Sequence, residues 1–236
     1  MPQIAETMDD TRPVTVAGNG WKARAEYVAA VAATFADRVD CEARFPAEAF
    51  AAIRAQRLLG IMLPADLGGE DARLADVVDI CYRLGQACSS TAMIYAMHQS
   101  ALACVARHTQ GAMWHTALLR RVSSAQLLLA SSTTEGQAGG NVRSSAAAVE
   151  RTPTGIRLDR AASVVSYGEQ ADAIVTTARR SAEAAASDQV LVVFMKEDYP
   201  LDRTYGWDAL GMRGTCSSGI DLKASGCVEQ ILPEPY

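Results

Sequence analysis

The stretch that decides the fold runs from Leu127 to Gly140 and reads Leu-Leu-Leu-Ala-Ser-Ser-Thr-Thr-Glu-Gly-Gln-Ala-Gly-Gly. An apolar run typical of a β-strand ends in four consecutive hydroxyl side chains, and a glycine-rich turn follows. Short hydroxyls and free backbone N–H groups at the end of a strand can hydrogen-bond a planar ligand with polar edges. An ordinary polar strand end has the same composition, so the sequence on either side must decide between the two interpretations.

The sequence before this stretch has helical periodicity. Apolar residues recur at i, i+3, i+7 and i+11 from Val28 to Val39, which predicts a first helix. Four more helices are predicted: one that begins at Pro46 and carries Phe50 and Ile53, one with an apolar stripe over 74–84, one from Ser89 or Ser90 to about Arg107, and a short one near 112–119. The fourth is apolar nearly all round, which is typical of a central helix.

The sequence from about Ser123 onward changes character. Short segments rich in β-branched or aliphatic residues, with turn signals between them, predict strands at 126–133, 142–149, 155–158, 162–166, 173–177, 189–195 and 226–232. Helices followed by strands, without alternation, predict an α+β chain of more than one domain. We expect a flexible N-terminus at 1–18, an all-α domain at 19–122 and an all-β, barrel-like domain at 123–236, with the strand number of a small barrel or sandwich.

Composition excludes several classes of function. The net charge is −5 and no basic run exceeds two residues, which argues against a nucleic-acid surface. The six cysteines form no C-x-x-C pair and the three histidines do not lie at zinc-ligand spacings, so no metal site is expected and a reduced, cytoplasmic setting fits best. The longest charge-free stretch, 84–106, is too polar to span a membrane, and the acidic start of the chain is unlike a secretory signal.

Four stretches, in this order, resemble the acyl-CoA dehydrogenase family of flavoproteins. They are Phe45-Pro46 with Leu58–Pro64 and Leu67-Gly68-Gly69, then Cys88–Met93, then Thr134-Glu135 with Gly139-Gly140, and finally Leu210–Thr215 with Ser217. The likeness covers roughly residues 20–236 and implies a helical domain followed by a β domain. It also implies an FAD-dependent oxidoreductase of fatty acid metabolism. In the family's reaction a carboxylate takes the α proton of an acyl-CoA thioester and the β hydrogen leaves as hydride to flavin N5.

The resemblance implies a set of cofactor-binding residues. Thr133 and Thr134 would hydrogen-bond the edge of the isoalloxazine ring. Val164 stands where the family has a tryptophan beside the ring, and Ser166 stands where it has a threonine that contacts the flavin or its phosphates. Thr215 lies in the motif near the end of the β domain, where a structural role and a cofactor contact both stay open.

The resemblance also implies substrate-binding residues. Gly139 and Gly140 would let the chain pass close to the acyl-CoA, because glycine has no side chain in the way. Thr91 and Tyr95 lie with His98 on the face of the central helix that approaches the acyl pocket in the family. A histidine in such a helix is more often a core residue with its hydrogen bonds satisfied. A methionine stripe such as Met93 and Met97 is likewise either an acyl channel or simple core.

The sequence departs from the family signature at several positions. Gly136 replaces the usual proline, Gly140 the usual serine, Asn141 the usual aspartate and Val164 the tryptophan. These departures leave the expected fold unchanged and the substrate class open.

The catalytic base is unknown. In the family it usually comes from a helical bundle that follows the β domain, and this sequence stops at Tyr236, where that bundle would begin. Glu135 is the only acid in the hydroxyl-rich motif, at a position that the family uses structurally. We therefore expect a fragment of a longer enzyme, half of a split enzyme completed by a partner chain, or a homologue that binds without catalysing.

The most specific hypothesis is FAD-dependent α,β-dehydrogenation of an acyl-CoA in a homo-oligomer, with an electron-acceptor flavoprotein as a further partner. The alternatives are a flavin-dependent monooxygenase on the same scaffold and a non-catalytic acyl-CoA-binding subunit.

Overall fold

The computed structural model describes residues 20–135 and 142–236. The N-terminal segment predicted at 1–18 lies outside the described residues, as do two of the predicted substrate-binding positions, Gly139 and Gly140. No helix within the described ranges combines the length and the apolar character that crossing a lipid bilayer requires.

Five helices form the first part of the described chain. They are α1 (Trp21–Cys41), α2 (Ala47–Ala55), α3 (Leu74–Ala87), α4 (Ser89–His108) and α5 (Met113–Ala125). All five were predicted from periodicity, and α5 continues three residues past the predicted domain boundary at 122.

The central position of α4 explains its composition. It packs against α3, α5 and the strand that follows α5, so apolar residues are needed on several sides. Ile94, Leu102 and Val105 on this helix are fully buried. By contrast, α3 buries one stripe that includes Ile80 and Leu84 and leaves the opposite side to solvent.

Eight strands form two four-stranded sheets. They are β1 (Leu129–Ser132), β2 (Glu150–Thr152), β3 (Gly155–Val165), β4 (Ala173–Arg179), β5 (Gln189–Met195), β6 (Leu201–Tyr205), β7 (Ser218–Gly226) and β8 (Ile231–Pro235). The first sheet has the order β1-β4-β5-β8 and the second β2-β3-β7-β6. The β1–β4 pair is parallel and the other pairs are antiparallel.

The two sheets share one core. Ile174 and Phe194 of the first sheet belong to the same buried cluster as Leu158 and Leu222 of the second. The strands of the described chain therefore form two packed sheets and no closed barrel. The α+β prediction is confirmed, and of the two β architectures considered, the sandwich is the one present.

Four of the predicted strands differ from the structure. The one predicted at 226–232 is divided between the end of β7 and the start of β8, on either side of a short 3-10 turn. Residues 142–149 form turns and bends, with Ala148 in a single bridge to Arg179. Their backbone N–H groups are used elsewhere, since Ala146 and Ala147 donate to the carboxylate of Glu135. The segments predicted separately at 155–158 and 162–166 belong to one strand, β3, because the intervening Arg160 is accommodated inside the protein by an ion pair.

Three strands were missed. The edge strands β2 and β6 are mostly polar and exposed, so they have no apolar periodicity to detect. The strand β7 alternates buried Ile220, Leu222 and Ala224 with more accessible residues, a period of two that the sequence did contain.

Candidate functional site

The end of β1 separates its hydroxyls onto two sides of the chain. Ser132 points into the core and is fully buried. Ser131 and Thr133 lie on the other side and line a groove against α4. This is the alternation expected of an extended chain, and it places neighbouring hydroxyls in different environments.

The groove between α4 and β1 has a volume of about 370 Å³. Four residues of its α4 wall, Met93, Met97, Ser100 and Cys104, are spaced i, i+4, i+7 and i+11, which is one face of a helix. The other lining residues, apart from Ser131 and Thr133, are Ala96 and Ala101 on α4, and Val175, Leu191 and Tyr236. The walls are mainly apolar, with hydroxyls at one side, and the volume suits a small organic ligand or an acyl chain.

Two predicted substrate-binding residues lie away from this groove. Thr91 and Tyr95 are fully buried, on the side of α4 opposite Met93 and Met97. The Tyr95 hydroxyl donates a 3.1 Å hydrogen bond to the carbonyl of Leu58, and burial raises the pKa of that hydroxyl. The structure therefore brings the methionines to the groove and places Thr91 and Tyr95 in the core.

His98 is a core histidine with both ring nitrogens used. Its Nε2 lies 2.9 Å from the carbonyl oxygen of Leu59, and its Nδ1 accepts a 3.0 Å hydrogen bond from the N–H of Leu129. This pairing requires the neutral ring with the proton on Nε2. Burial lowers the pKa of His98 to about 4. The residue thus fastens α4 to the start of β1.

Two of the predicted cofactor residues are in direct contact. The Thr134 hydroxyl donates a 3.3 Å hydrogen bond to the carbonyl oxygen of Val164, which joins the chain beyond β1 to the end of β3. The Val164 side chain is 37% exposed. A partly exposed apolar side chain therefore lies beside a hydroxyl-bearing strand end. A flat ring with a polar edge, such as a flavin, fits this combination of surface and donor chemistry.

Ser166 belongs to a chain of buried hydroxyls. Its Oγ lies 2.7 Å from Oγ of Ser217, and Ser217 Oγ lies 2.7 Å from Oγ1 of Thr215. Thr215 in turn donates a 2.8 Å hydrogen bond to the carbonyl of Met212. The motif at the end of the β domain therefore connects to the predicted cofactor site through side-chain hydroxyls.

Glu135 has a structural position. Its carboxylate accepts hydrogen bonds from the N–H groups of Ala146 (2.5 Å) and Ala147 (2.9 Å). It also pairs with Arg160 at 3.2 Å, and the Arg160 side chain is 0% exposed. These partners occupy the carboxylate, which makes Glu135 unsuited to take a proton from a substrate. The buried Arg160 also bonds the carbonyl of Thr177 on β4, so the ion pair ties the two sheets together.

Comparison with protein families gives the first part of the chain an identity. The model for the N-terminal domain of acyl-CoA dehydrogenases matches residues 22–121. These residues are an acyl-CoA dehydrogenase N-terminal domain. The resemblance drawn from the sequence motifs is thereby confirmed over this part of the chain, which contains two of the four motifs. Among curated proteins, none matches the chain in sequence.

Solved structures share this fold over nearly the whole chain. FMN-bound TdsC from Paenibacillus sp. A11-2 is 17% identical with a TM-score of 0.76, over 90% of this chain and 53% of its own. The methanesulfinate monooxygenase MsuC from Pseudomonas fluorescens is 16% identical with a TM-score of 0.77, over 91% and 53%. Glutaryl-coenzyme A dehydrogenase with glutaryl-CoA is 22% identical with a TM-score of 0.77, over 91% and 55%. The chain spans about half the length of each of these structures.

Within this acyl-CoA dehydrogenase fold, Arg213 joins the helices to the strands. Its Nε donates a 2.8 Å hydrogen bond to the carbonyl of Asp40 near the end of α1, and its Nη1 pairs with Asp208 at 2.9 Å.

Sequence reasoning did not identify Ser100 and Cys104 as lining residues of the groove. Their spacing from Met93 was the signal that could have found them.

Proposed function

We propose that the chain supplies the flavin-facing β domain and part of the acyl pocket of an FAD-dependent enzyme that removes α and β hydrogens from an acyl-CoA thioester. One observation carries the proposal. Thr133 lines the groove beside α4, and the next residue, Thr134, contacts Val164 at the candidate flavin site. An apolar chain in the groove would therefore end beside the ring.

The groove residues would bind the acyl chain. Met93 and Met97 are unbranched and adaptable, so they suit a flexible aliphatic ligand. Each methylene group that the groove removes from water would contribute about 0.8 kcal/mol. Ser131 and Thr133 would orient the more polar end of the ligand. Bound FAD would supply the acceptor for the hydrogen that leaves the β carbon as hydride.

In this proposal, the residue that accepts the α proton of the acyl-CoA belongs to a structural element other than the described helices and strands. The groove's lining residues in the described chain include no carboxylate, and Glu135 is occupied by Arg160 and two backbone N–H groups. A helical bundle, from a longer form of this chain or from a partner chain, would supply the base. An electron-acceptor flavoprotein would reoxidise the flavin.

A visible absorption spectrum of the FAD-loaded protein tests this proposal. Anaerobic titration with short, medium and long acyl-CoAs, in the presence of the full assembly, is expected to bleach the flavin band. A flavin band that no acyl-CoA changes would contradict dehydrogenation. A protein that takes up no FAD and still binds acyl-CoA would support a non-catalytic binding subunit instead.

A second candidate is a flavin-dependent monooxygenase. Two observations favour it. The groove has no carboxylate among its described lining residues. The dibenzothiophene monooxygenase TdsC and the methanesulfinate monooxygenase MsuC match this fold as well as glutaryl-CoA dehydrogenase does. Such an enzyme needs reduced flavin and oxygen. Oxygen consumption with reduced flavin, without bleaching by acyl-CoA, would select it over the dehydrogenase.

A further inference from the structure

The groove beside α4 crosses the first sheet from one edge strand to the other. Its lining residues include Thr133 directly after β1, Val175 on β4, Leu191 on β5 and Tyr236 directly after β8. This is the order of the strands in the sheet, β1-β4-β5-β8. Neighbouring strands lie about 4.8 Å apart, so the distance from β1 to β8 is about 14 Å.

Helix α4 runs along the groove in the same direction. His98, in the middle of the helix, is hydrogen-bonded to the start of β1, and Nδ1 of His108, its last residue, lies 3.5 Å from Oε2 of Glu234 on β8. The wall from Met93 to Cys104 is about 16 Å long at about 1.5 Å per residue, which agrees with the distance across the strands. Cys104 therefore lies at the β8 end of the groove.

The other end of the groove lies toward the candidate flavin site. The first turn of α4 packs against the segment 213–215, where a Cβ added to Gly214 would lie 3.0 Å from Cβ of Ser90. The buried hydroxyls described above connect this segment to Ser166. Met93 follows Ser90 by about one helical turn, so the Met93 end of the wall is the end nearer to the candidate flavin site.

The chain at the β8 end of the groove is held on two sides. The N–H of Tyr236 donates a 3.1 Å hydrogen bond to the carbonyl of Gln189 on β5. Two residues earlier, Glu234 accepts a 2.7 Å hydrogen bond from Nε2 of Gln110, just beyond α4. The backbone of Tyr236 is thus fastened to the neighbouring strand and, through Glu234, to the end of the helix. A side chain carried by such a backbone can limit the length of a ligand in the groove.

We infer that Tyr236 and Cys104 close the groove at the β8 end and restrict it to straight acyl chains of up to about twelve carbons. The inference rests on the proposed function. An extended chain advances about 1.2 Å per bond, since three backbone bonds span about 3.3–3.6 Å, so about twelve bonds fill about 14 Å. A longer chain must displace the side chain of Tyr236 or leave its end in water, and its additional methylene groups then add little affinity.

Calorimetric titration of the full chain with saturated straight-chain acyl-CoAs of about four to about eighteen carbons tests this inference. Each added methylene should lower the Kd about fourfold up to a break near twelve carbons, and by less than about twofold beyond it. Tyr236→Ala should move the break to longer chains, because it opens the end of the groove. Cys104→Leu should move the break to shorter chains, because it narrows the same end.

Two control variants should leave the break where it is. Tyr236→Phe retains the ring, and Tyr205→Ala removes a ring that is 49% exposed on β6 and lies outside the groove lining. Shifts in opposite directions distinguish chain-length selection from a merely structural role, since a loss of folding would weaken the binding of every chain length alike.

The outcomes separate this inference from the proposed function. Binding that shows no break, or a break that neither Tyr236→Ala nor Cys104→Leu moves, overturns the inference alone. If the chain binds no acyl-CoA of any length, the proposed acyl pocket is overturned together with the inference.

Discussion

The hydroxyl of Thr134 donates a hydrogen bond to the carbonyl oxygen of Val164, a residue 30 positions later in the chain. This contact joins the chain just beyond β1 to the end of β3, and so connects the two sheets beside the groove that Thr133 lines. Two consecutive residues therefore have different surroundings, since Thr133 lines the groove and Thr134 contacts Val164.

Filling the groove should block acyl-chain binding. Met97→Trp places a large ring among the lining residues, and we expect at least a tenfold loss of affinity for a long-chain acyl-CoA, measured by isothermal titration calorimetry. Met113→Trp is the matched control, because Met113 is 89% exposed and lies outside the groove. Equal affinities for the two variants would show that the acyl chain binds elsewhere.

Removing the charge of Glu135 should destabilise the protein strongly. Glu135→Gln leaves the Arg160 guanidinium buried and without a counter-charge, which costs about 3 kcal/mol in the free energy of unfolding. Glu169→Gln is the control, since Glu169 pairs with Arg203 at the surface, where such pairs contribute about 0 to 1 kcal/mol. Urea denaturation measures both. A loss for Glu135→Gln no larger than that for the control would refute the structural role of the pair.

Stability should fall on mild acidification because of His98. The pKa of His98 in the folded protein is lowered to about 4, whereas in the unfolded chain it has the ordinary histidine value of 6.5. The unfolded state therefore binds the proton first as the pH falls. The contribution of neutral His98 to the free energy of unfolding is fully present above about pH 6.5. It is lost between about pH 6.5 and pH 4, and amounts to about 3 kcal/mol in total.

Urea denaturation of His98→Gln across this pH window checks the prediction. The variant should be less stable at neutral pH but should show a shallower pH dependence than the wild type. His115 is buried with its pKa lowered in the same direction and is left intact in both proteins, so its effect cancels in the comparison. An unchanged pH slope in His98→Gln would be inconsistent with the assignment.

Substitution by alanine should have opposite effects on stability at two glycines. At Gly69 an added Cβ would lie 1.8 Å from the carbonyl oxygen of Leu63, so Gly69→Ala must displace the backbone and should destabilise the fold by about 2 kcal/mol. Gly85 lies exposed within α3 with its nearest neighbour at 3.7 Å, so Gly85→Ala should stabilise the protein by about 0.5 to 1 kcal/mol. Thermal unfolding monitored by circular dichroism measures both. A loss of stability in Gly85→Ala, or none in Gly69→Ala, would contradict this packing.

Sequence reasoning located the helices and the change to strands because both depend on local periodicity. The apolar repeat around Val28 and the all-round apolar character of α4 are properties of neighbouring residues, and they are visible without a partner. The strand ending in Thr133 and Thr134 was found for the same reason. The continuity of β3 through Arg160 was not, because a buried arginine is tolerated only when a residue distant in sequence, here Glu135, supplies its charge.

The sequence by itself therefore determined the order of elements, the family motifs and the residue types available at the candidate site. Only the tertiary structure decided which face of α4 meets β1, so that Met93 and Met97 line the groove while Tyr95 is buried. Only the tertiary structure placed the hydroxyl of Ser217 2.7 Å from that of Ser166, 51 positions earlier in the chain. Periodicity specifies that a residue is on a face, but which residues meet across two elements depends on how those elements pack.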